Sequence, residues 1–136
     1  MEVRTVIAED SPAEELAPIA KAVHDLLVLP VTMRSKQKWG VRVERGEVID
    51  LAYTGPVLEQ VLAENRVIRT VPHTGKYAHI PVVVAPIRNR TGDAVAAIGV
   101  VDVVGTVDLG ALFADSPRVL EQIKAHPRYP LKREEE

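Results

Sequence analysis

Residues 94–104 read Ala-Val-Ala-Ala-Ile-Gly-Val-Val-Asp-Val-Val and contain a single charged side chain, Asp102. A continuous apolar run predicts a strand covered on both faces, because a strand with one wet face alternates apolar and polar residues. The run is well short of the about 20 apolar residues that a membrane-spanning helix needs. We therefore expect residues 94–104 to form the central strand of a sheet.

Two further apolar segments supply the expected neighbours of this strand. Residues 81–87, PVVVAPI, form a β-rich run that a turn separates from the central strand. Earlier in the chain, Val41 and Val43 alternate with charged residues, and a turn at Arg45-Gly46 leads to a second strand at residues 48–52. We expect the central strand to lie between residues 81–87 and the hairpin strand near Val41.

Three helices and one more strand complete the predicted elements. Ser11-Pro12-Ala13-Glu14 is a capping box, and apolar residues at three- and four-residue spacing continue from it to Leu29. Similar signals predict a helix at residues 54–65, a strand at 67–71 and a last helix at 116–126. Because the connections are short, the five strands must pair antiparallel. The sequence predicts an α+β fold with a five-stranded antiparallel sheet, helices on one face, and N- and C-terminal helices.

Length, charge and composition restrict the function. A chain of 136 residues matches one domain, and we expect a single domain over residues 1–136 with a mobile tail from about residue 127. The net charge of −2 provides no strong basic field, so we expect neither nucleic acid nor a membrane as partner. The absence of cysteine excludes disulfides and thiolate metal sites, and no signal-peptide pattern is present. Both observations favour a cytoplasmic protein.

Two resemblances add to this interpretation. The segment at residues 80–103, with its PVVVAPI strand, its RTGD turn and its AAIGVVDV strand, resembles the last hairpin of PAS, GAF and Cache-type sensor domains. That resemblance implies a five-stranded sheet in the order 2-1-5-4-3, with a ligand held between the sheet and a helix and loop from the middle of the chain. The motifs LPVTMR (29–34), GVRVE (40–44) and YTGPVL (53–58) resemble an uncharacterised domain family of methanogenic archaea.

The polar residues expected at such a pocket come from the loop at residues 72–79 and from elements near it. A pocket under this loop is expected to be reached by the side chains of Arg34, Tyr53, His73, Lys76 and Tyr77. The cations among them, with few acids nearby, favour a small anionic metabolite as ligand. Asp102 joins the candidates because a buried carboxylate needs a partner, although strand alternation would equally turn it to solvent.

Metal and catalytic sites are not predicted. His73 and His79 are six residues apart and lack the compact spacing of metal ligands, and the three serines lie in caps or a charged loop. Arg34, Lys36, Lys38, Arg42 and Arg45 form a cationic segment that is typical of a solvated hairpin edge. We expect no catalytic residue, no metal and no cofactor.

Three functions remain open at this point. The first is a small-molecule-sensing regulatory domain that binds an anionic metabolite and signals through an unidentified output protein. It is expected to be a homodimer paired through the apolar stripe of its first helix, formed by Leu16, Ile19, Val23 and Leu27. The second is a small enzyme with His73 as acid or base and Lys76 or Arg34 as an anion clamp. The third is a non-catalytic assembly subunit.

Overall fold

A computed structural model describes residues 6–135; the ends of the predicted domain, residues 1–5 and 136, lie outside the described residues. The main elements follow one another along the chain as α1 (Ala13–Leu27), β1 (Val31–Ser35), β2 (Gly40–Glu44), β3 (Glu47–Tyr53), α2 (Pro56–Glu64), β4 (Ile68–Thr70), β5 (Val82–Arg88), β6 (Ala94–Val101), α3 (Leu109–Leu112) and α4 (Pro117–Lys124). The predicted α+β class is confirmed.

The sheet is open and antiparallel, with its strands in the order β3-β2-β1-β6-β5-β4. As predicted, the apolar strand β6 is central and pairs with β5. The predicted count of five strands is wrong, because the sheet within residues 6–135 has six. The expected pairing of β6 with the strand at Val41 is also wrong, because β1 lies between β6 and β2.

Strand β1 was not predicted, because it follows Pro30 directly and ends in the cationic segment. Its Val31 and Met33 are fully buried and face α1, while Arg34 points to the other face. The alternation expected of a strand is therefore present, but over only five residues. Numbered among themselves without β3, the other five strands have the order 2-1-5-4-3, and β3 extends that arrangement at the edge beside β2.

Helices cover both faces of the sheet, which corrects the prediction that they lie on one face. Helix α1 packs on β1 and β2, where Leu16 and Ala20 meet Val31, Met33, Val41 and Val43. Helix α2 packs on the opposite face of β5 and β6, where Val61 and Leu62 contact a cluster that includes Val84 and Ala97. This two-sided cover explains why residues 94–97 are all buried, without alternation.

A buried histidine fixes the end of α1 to the β2–β3 hairpin. His24 is only 4% exposed. Its Nε2 accepts a hydrogen bond from the Gly46 amide at 2.8 Å, so Nδ1 carries the proton and donates to the Leu29 carbonyl at 2.7 Å. The hairpin turn itself has positive φ angles at Arg45 and Gly46, +52° and +79°, as a type I′ turn requires. The His24 side chain thus forms hydrogen bonds with the Gly46 amide in the hairpin turn and with the Leu29 carbonyl after α1.

After β6 the chain forms what we call the C-terminal arm, residues 103–135, which contains α3 and α4. The predicted strand to residue 104 ends earlier, at Val101, because the Asp102 side chain accepts from the Gly105 amide at 2.8 Å and turns the backbone. The arm ends on the edge of β4, where the Glu134 amide donates to the Arg69 carbonyl. No helix within residues 6–135 is long and apolar enough to cross a membrane.

Candidate functional site

A cavity lies between α2 and the sheet, in the place expected for a pocket. It has a volume of about 30 Å³, and we call it the α2 cavity. Its lining is formed by Pro30, Thr32, Tyr53, Gly55, Pro56, Val57, Leu58, Pro72, Thr74, Tyr77, Val82, Val84, Gly99, Val100 and Val101. The walls are mainly aliphatic, and the polar groups available to a ligand are hydroxyls of threonine and tyrosine.

Gly99 keeps the floor of the α2 cavity open. A β-carbon at this position would lie 2.8 Å from Val84 Cγ2 and 3.1 Å from Thr32 Oγ1, so a larger residue would fill the space between β1 and β5. Glycine within a strand weakens the strand and commonly marks a site of close approach.

Tyr77 forms part of the cavity wall. It stands on the irregular loop at residues 72–79, and its hydroxyl donates to Glu44 Oε2 on β2 at 2.5 Å. Its ring meets the Tyr53 ring edge to face, with 6.3 Å between the centroids. We call this loop the roof loop, and the Tyr77–Glu44 hydrogen bond joins it to the sheet.

Arg42 supports the same group of side chains from β2. Its Nη1 lies 3.2 Å from Glu44 Oε2, and its guanidinium lies 5.8 Å from the centre of the Tyr53 ring. The buried Nε of Arg42 has no hydrogen-bond partner within residues 6–135. Such an atom is costly to bury, so it marks a position that a rearranged side chain or a bound group would satisfy.

The ionisation of these groups favours the closed arrangement. Burial, followed by the bond to Glu44, raises the pKa of the Tyr77 phenol, so it remains a donor at neutral pH. Burial likewise raises the pKa of Tyr53. Burial alone would lower the pKa of Arg42, but its interactions with Tyr77, Glu44 and Asp50 outweigh that effect and raise it. The site therefore combines a neutral phenol with a charged guanidinium and a carboxylate acceptor.

Arg34 does not line the α2 cavity. Its Nε donates to the Ser35 carbonyl at 2.8 Å, its Nη1 donates to Thr54 Oγ1 at 2.8 Å, and its Nη2 reaches the Lys36 carbonyl. The guanidinium also lies 5.8 Å from the Trp39 ring. These contacts connect β1 to the start of α2, and they occupy most of the donors that an anion would need.

The other predicted residues are placed differently from one another. Tyr53 and Tyr77 line the cavity together, and ligand binding by them stays a prediction. His73 and Lys76 are exposed on the roof loop and do not line it, and the ring of His73 contacts that of His79 at 6.4 Å. Among residues 6–135 no group of three or more histidine and carboxylate side chains is arranged to hold a metal ion.

Asp102 lies away from the cavity and is 2% exposed, so the solvent-facing alternative is wrong. Its carboxylate accepts from Arg69 Nε at 3.1 Å and from the Gly105 amide at 2.8 Å. The partner that a buried carboxylate requires is therefore Arg69 on β4. Asp102 fixes the start of the C-terminal arm.

The sequence did not predict that Glu44 and Arg42 lie beside this cavity. The available signal was their alternation with Val41 and Val43, which was interpreted as the solvated face of an edge hairpin. In the structure β2 is not an edge strand, because β3 pairs beside it. The polar face of β2 therefore lies under the roof loop instead of facing water alone.

Comparisons with known proteins agree with the second resemblance. Residues 23–104 match the family described as "Uncharacterized protein conserved in archaea (DUF2111)", a span that contains α2, all six strands and the α2 cavity. Over 105 residues the chain is 52% identical to the uncharacterised protein MJ0405 of Methanocaldococcus jannaschii, covering 76% of this chain and 79% of that protein. The chain therefore belongs to this archaeal family, DUF2111.

Proposed function

We propose that this domain is a small-molecule-sensing regulatory module whose ligand enters the α2 cavity beneath the roof loop. The observation that carries the proposal is an apolar cavity lined by Tyr77, whose hydroxyl a short hydrogen bond holds to Glu44. Ligand pockets in proteins are mainly apolar, with a few polar groups that orient the guest. The α2 cavity has this composition.

The cavity changes size when a ligand binds. At about 30 Å³ it has room for water but not for a metabolite. A ligand must therefore displace the Tyr77 ring and break its bond to Glu44. After that step Glu44 keeps only its ion pair with Arg42, and Arg42 Nε is able to form a hydrogen bond. Occupancy of the cavity therefore alters the polar face of β2.

A neutral ligand has more support than the anionic metabolite expected from the sequence. Every described residue that lines the cavity is uncharged at neutral pH, and Arg34 and Lys76 lie elsewhere. Burying an anion without a paired cation is strongly unfavourable. The hydroxyls of Thr32, Tyr53 and Tyr77 are suited to a ligand with one or two neutral hydrogen-bonding groups.

The enzyme alternative has less support than sensing. It required His73 beside Lys76 or Arg34, but Arg34 is bound to the start of α2 while the other two lie on the outer side of the roof loop. The sensor proposal also draws support from the strand order without β3, which matches the order implied by the PAS/GAF resemblance.

The homodimer and the output protein remain predictions. The helix stripe offered for dimerisation packs largely on the sheet: Leu16 is fully buried, and Ile19 and Val23 join the same cluster. Leu27, the last residue of that stripe, is exposed together with its neighbours Leu26 and Val28.

Titration of the labelled protein in amide NMR spectra tests the proposal. Cyclohexanol and phenol serve as neutral probes, and acetate and phosphate as anionic ones. We expect the neutral probes to move the amide signals of Thr32, Gly99 and Val101, and the anions to leave them in place. Gly99→Ala, which adds a methyl group to the cavity, should abolish the response. Gly110→Ala, the same change on the C-terminal arm, should not.

A response to anions alone would replace the neutral ligand with the anionic one. If neither class moves these signals in the wild-type protein, the α2 cavity is not a ligand site and the sensor proposal fails.

A further inference from the structure

A second and larger hollow lies on the opposite face of the sheet, between the sheet and the C-terminal arm. Its volume is about 780 Å³. The sheet contributes Val83, the start of the arm contributes Val104 and Leu109, and the far wall includes Phe113 with Val119 and Ile123 of α4. We call it the arm hollow. Most of it lies beyond residue 104, where the match to the family ends.

The arm is attached to the sheet at both ends and stands away from it in the middle. At its start, Asp102 pairs with Arg69 of β4. At its end, the Glu134 amide donates to the Arg69 carbonyl at 2.6 Å, Thr70 Oγ1 donates to the Glu134 carbonyl at 2.8 Å, and Arg66 pairs with the Glu134 carboxylate at 2.6 Å. Both attachments therefore lie at β4 and the residues just before it, and the hollow is the space that this closed loop of chain encloses.

The two walls of the hollow are apolar and do not touch each other closely. Val119 and Ile123 lie one turn apart on α4 and line the hollow, and Val119 remains 40% exposed. Two apolar walls facing each other across water are unfavourable, because the apolar surface of both stays hydrated. A volume of this size falls within the range of cavities that hold small organic ligands. A guest with an apolar body would remove that surface from water.

Two arginines give the hollow positive charge. The positive charge comes from Arg69 and Arg128; the other polar side chains of the lining belong to Gln122, His126 and Tyr129, and none of the described lining residues is acidic. Arg69 already forms an ion pair with Asp102, and His126 Nδ1 accepts a hydrogen bond from the Arg128 amide at 3.0 Å. The nearby Glu134 already pairs with Arg66. The Arg128 side chain is therefore placed to meet an anionic group on the guest.

We propose that the arm hollow binds one amphiphilic molecule, with an aliphatic chain against Val83 and Ile123 and an anionic head, a carboxylate or a phosphate, at Arg128. The sheet and α4 form the two sides of the chain site, and the basic residues set the direction of the guest. This site is separate from the α2 cavity and does not depend on the function proposed for it.

Calorimetric titration with sodium decanoate, octanoate and hexanoate, each below its micelle concentration, tests the proposal. Affinity should rise with chain length by up to about fourfold per methylene, the value for complete burial of each group. Decyl phosphate should bind like decanoate, because the head chemistry is shared. Decanol, which lacks the charge, should bind more weakly, and Arg128→Gln should remove that difference.

Two matched variants locate the site. Ile123→Arg places a charge inside the hollow, whereas Ala125→Arg adds the same side chain two residues later at an exposed position outside the lining. We expect at least a tenfold loss of decanoate affinity in the first and no change in the second. Gly99→Ala should also leave decanoate binding intact, which separates this result from the fate of the α2 cavity.

Other outcomes would overturn the proposal. Affinity that does not depend on chain length, or equal binding by the Ile123→Arg and Ala125→Arg variants, would exclude the hollow as the site. If decanoate fails to bind while light scattering shows a dimer that only Ile123→Arg dissociates, the hollow is an interface between two copies of the chain. Circular dichroism spectra that match the wild type confirm that each variant is folded.

Discussion

Removal of the Asp102 carboxylate should cost a large part of the stability of this domain. Asp102 is 2% exposed and Arg69 is 12% exposed, so Asp102→Ala leaves a guanidinium with little access to water. Breaking a buried ion pair by removing one partner typically costs about 3–5 kcal/mol. The lost hydrogen bond to the Gly105 amide adds to this cost, while rotation of Arg69 toward water reduces it. We expect a net loss of about 3 kcal/mol, against a total of about 5–15 kcal/mol for an ordinary domain.

Urea unfolding followed by circular dichroism measures this loss, with Asp115→Ala as the control. Asp115 is exposed, and its replacement should change the free energy of unfolding by less than about 0.5 kcal/mol. The double variant Asp102→Ala/Arg69→Met separates the two causes, because it removes the stranded charge as well. We expect it to be more stable than Asp102→Ala alone. A loss below about 1 kcal/mol in the single variant, or a double variant that is no more stable, would refute the reasoning.

Three further predictions follow from buried contacts. The pKa values of Tyr53 and Tyr77 are raised in the folded protein. Their protonated phenols therefore stabilise the fold fully below pH 10, and this stabilisation is lost as the pH rises through the folded-state pKa values. Absorbance at 295 nm should show both phenols ionising above pH 10 in the folded protein and at lower pH in urea. His24→Phe leaves the Gly46 amide and the Leu29 carbonyl without their hydrogen-bond partner, so it should lower the free energy of unfolding by about 2 kcal/mol. Urea unfolding measures this loss, and an unchanged free energy of unfolding would contradict the two hydrogen bonds. Gly40→Ala would place a β-carbon 2.0 Å from the Met33 carbonyl oxygen, so it should abolish the cooperative thermal transition, and a wild-type melting temperature would show that β1 and β2 do not approach this closely.

The sequence was sufficient for the parts of the fold that strong local patterns determine. The apolar run that became β6 was long enough to predict a central strand. Strand β1 was not predicted because its five residues are too few to show a clear apolar–polar alternation. Four of the five are buried, including the polar Ser35. The placement of helices on both faces also depends on tertiary packing, which periodicity alone does not determine.

The candidate site was predictable in position and only partly in chemistry. Tyr53 and Tyr77 were found because the resemblance implied a pocket near the middle helix and its loop. Arg34 was a plausible ligand by charge, but its bonds to Thr54 and two backbone carbonyls depend on a strand that had not been recognised. Glu44 lies 33 residues before Tyr77 in the chain, so no local pattern joins the two.

The opening of the roof loop is the step on which the proposed function depends most. Benzene suits this test because it fills an apolar cavity and makes no hydrogen bond of its own with Tyr77. In the wild-type protein benzene must break the Tyr77–Glu44 bond on entering, whereas Tyr77→Phe has no such bond to break. A net hydrogen bond to a charged group is worth about 1.5–3 kcal/mol, so we expect benzene to bind about tenfold or more tightly to the variant.

The measurement is the dissociation constant of benzene from amide NMR shifts, in the wild type, in Tyr77→Phe and in the control Tyr129→Phe on the C-terminal arm. We expect tighter binding in Tyr77→Phe alone, with the shifts centred on Gly99. Equal or weaker binding in Tyr77→Phe, or shifts confined to the C-terminal arm, would contradict it.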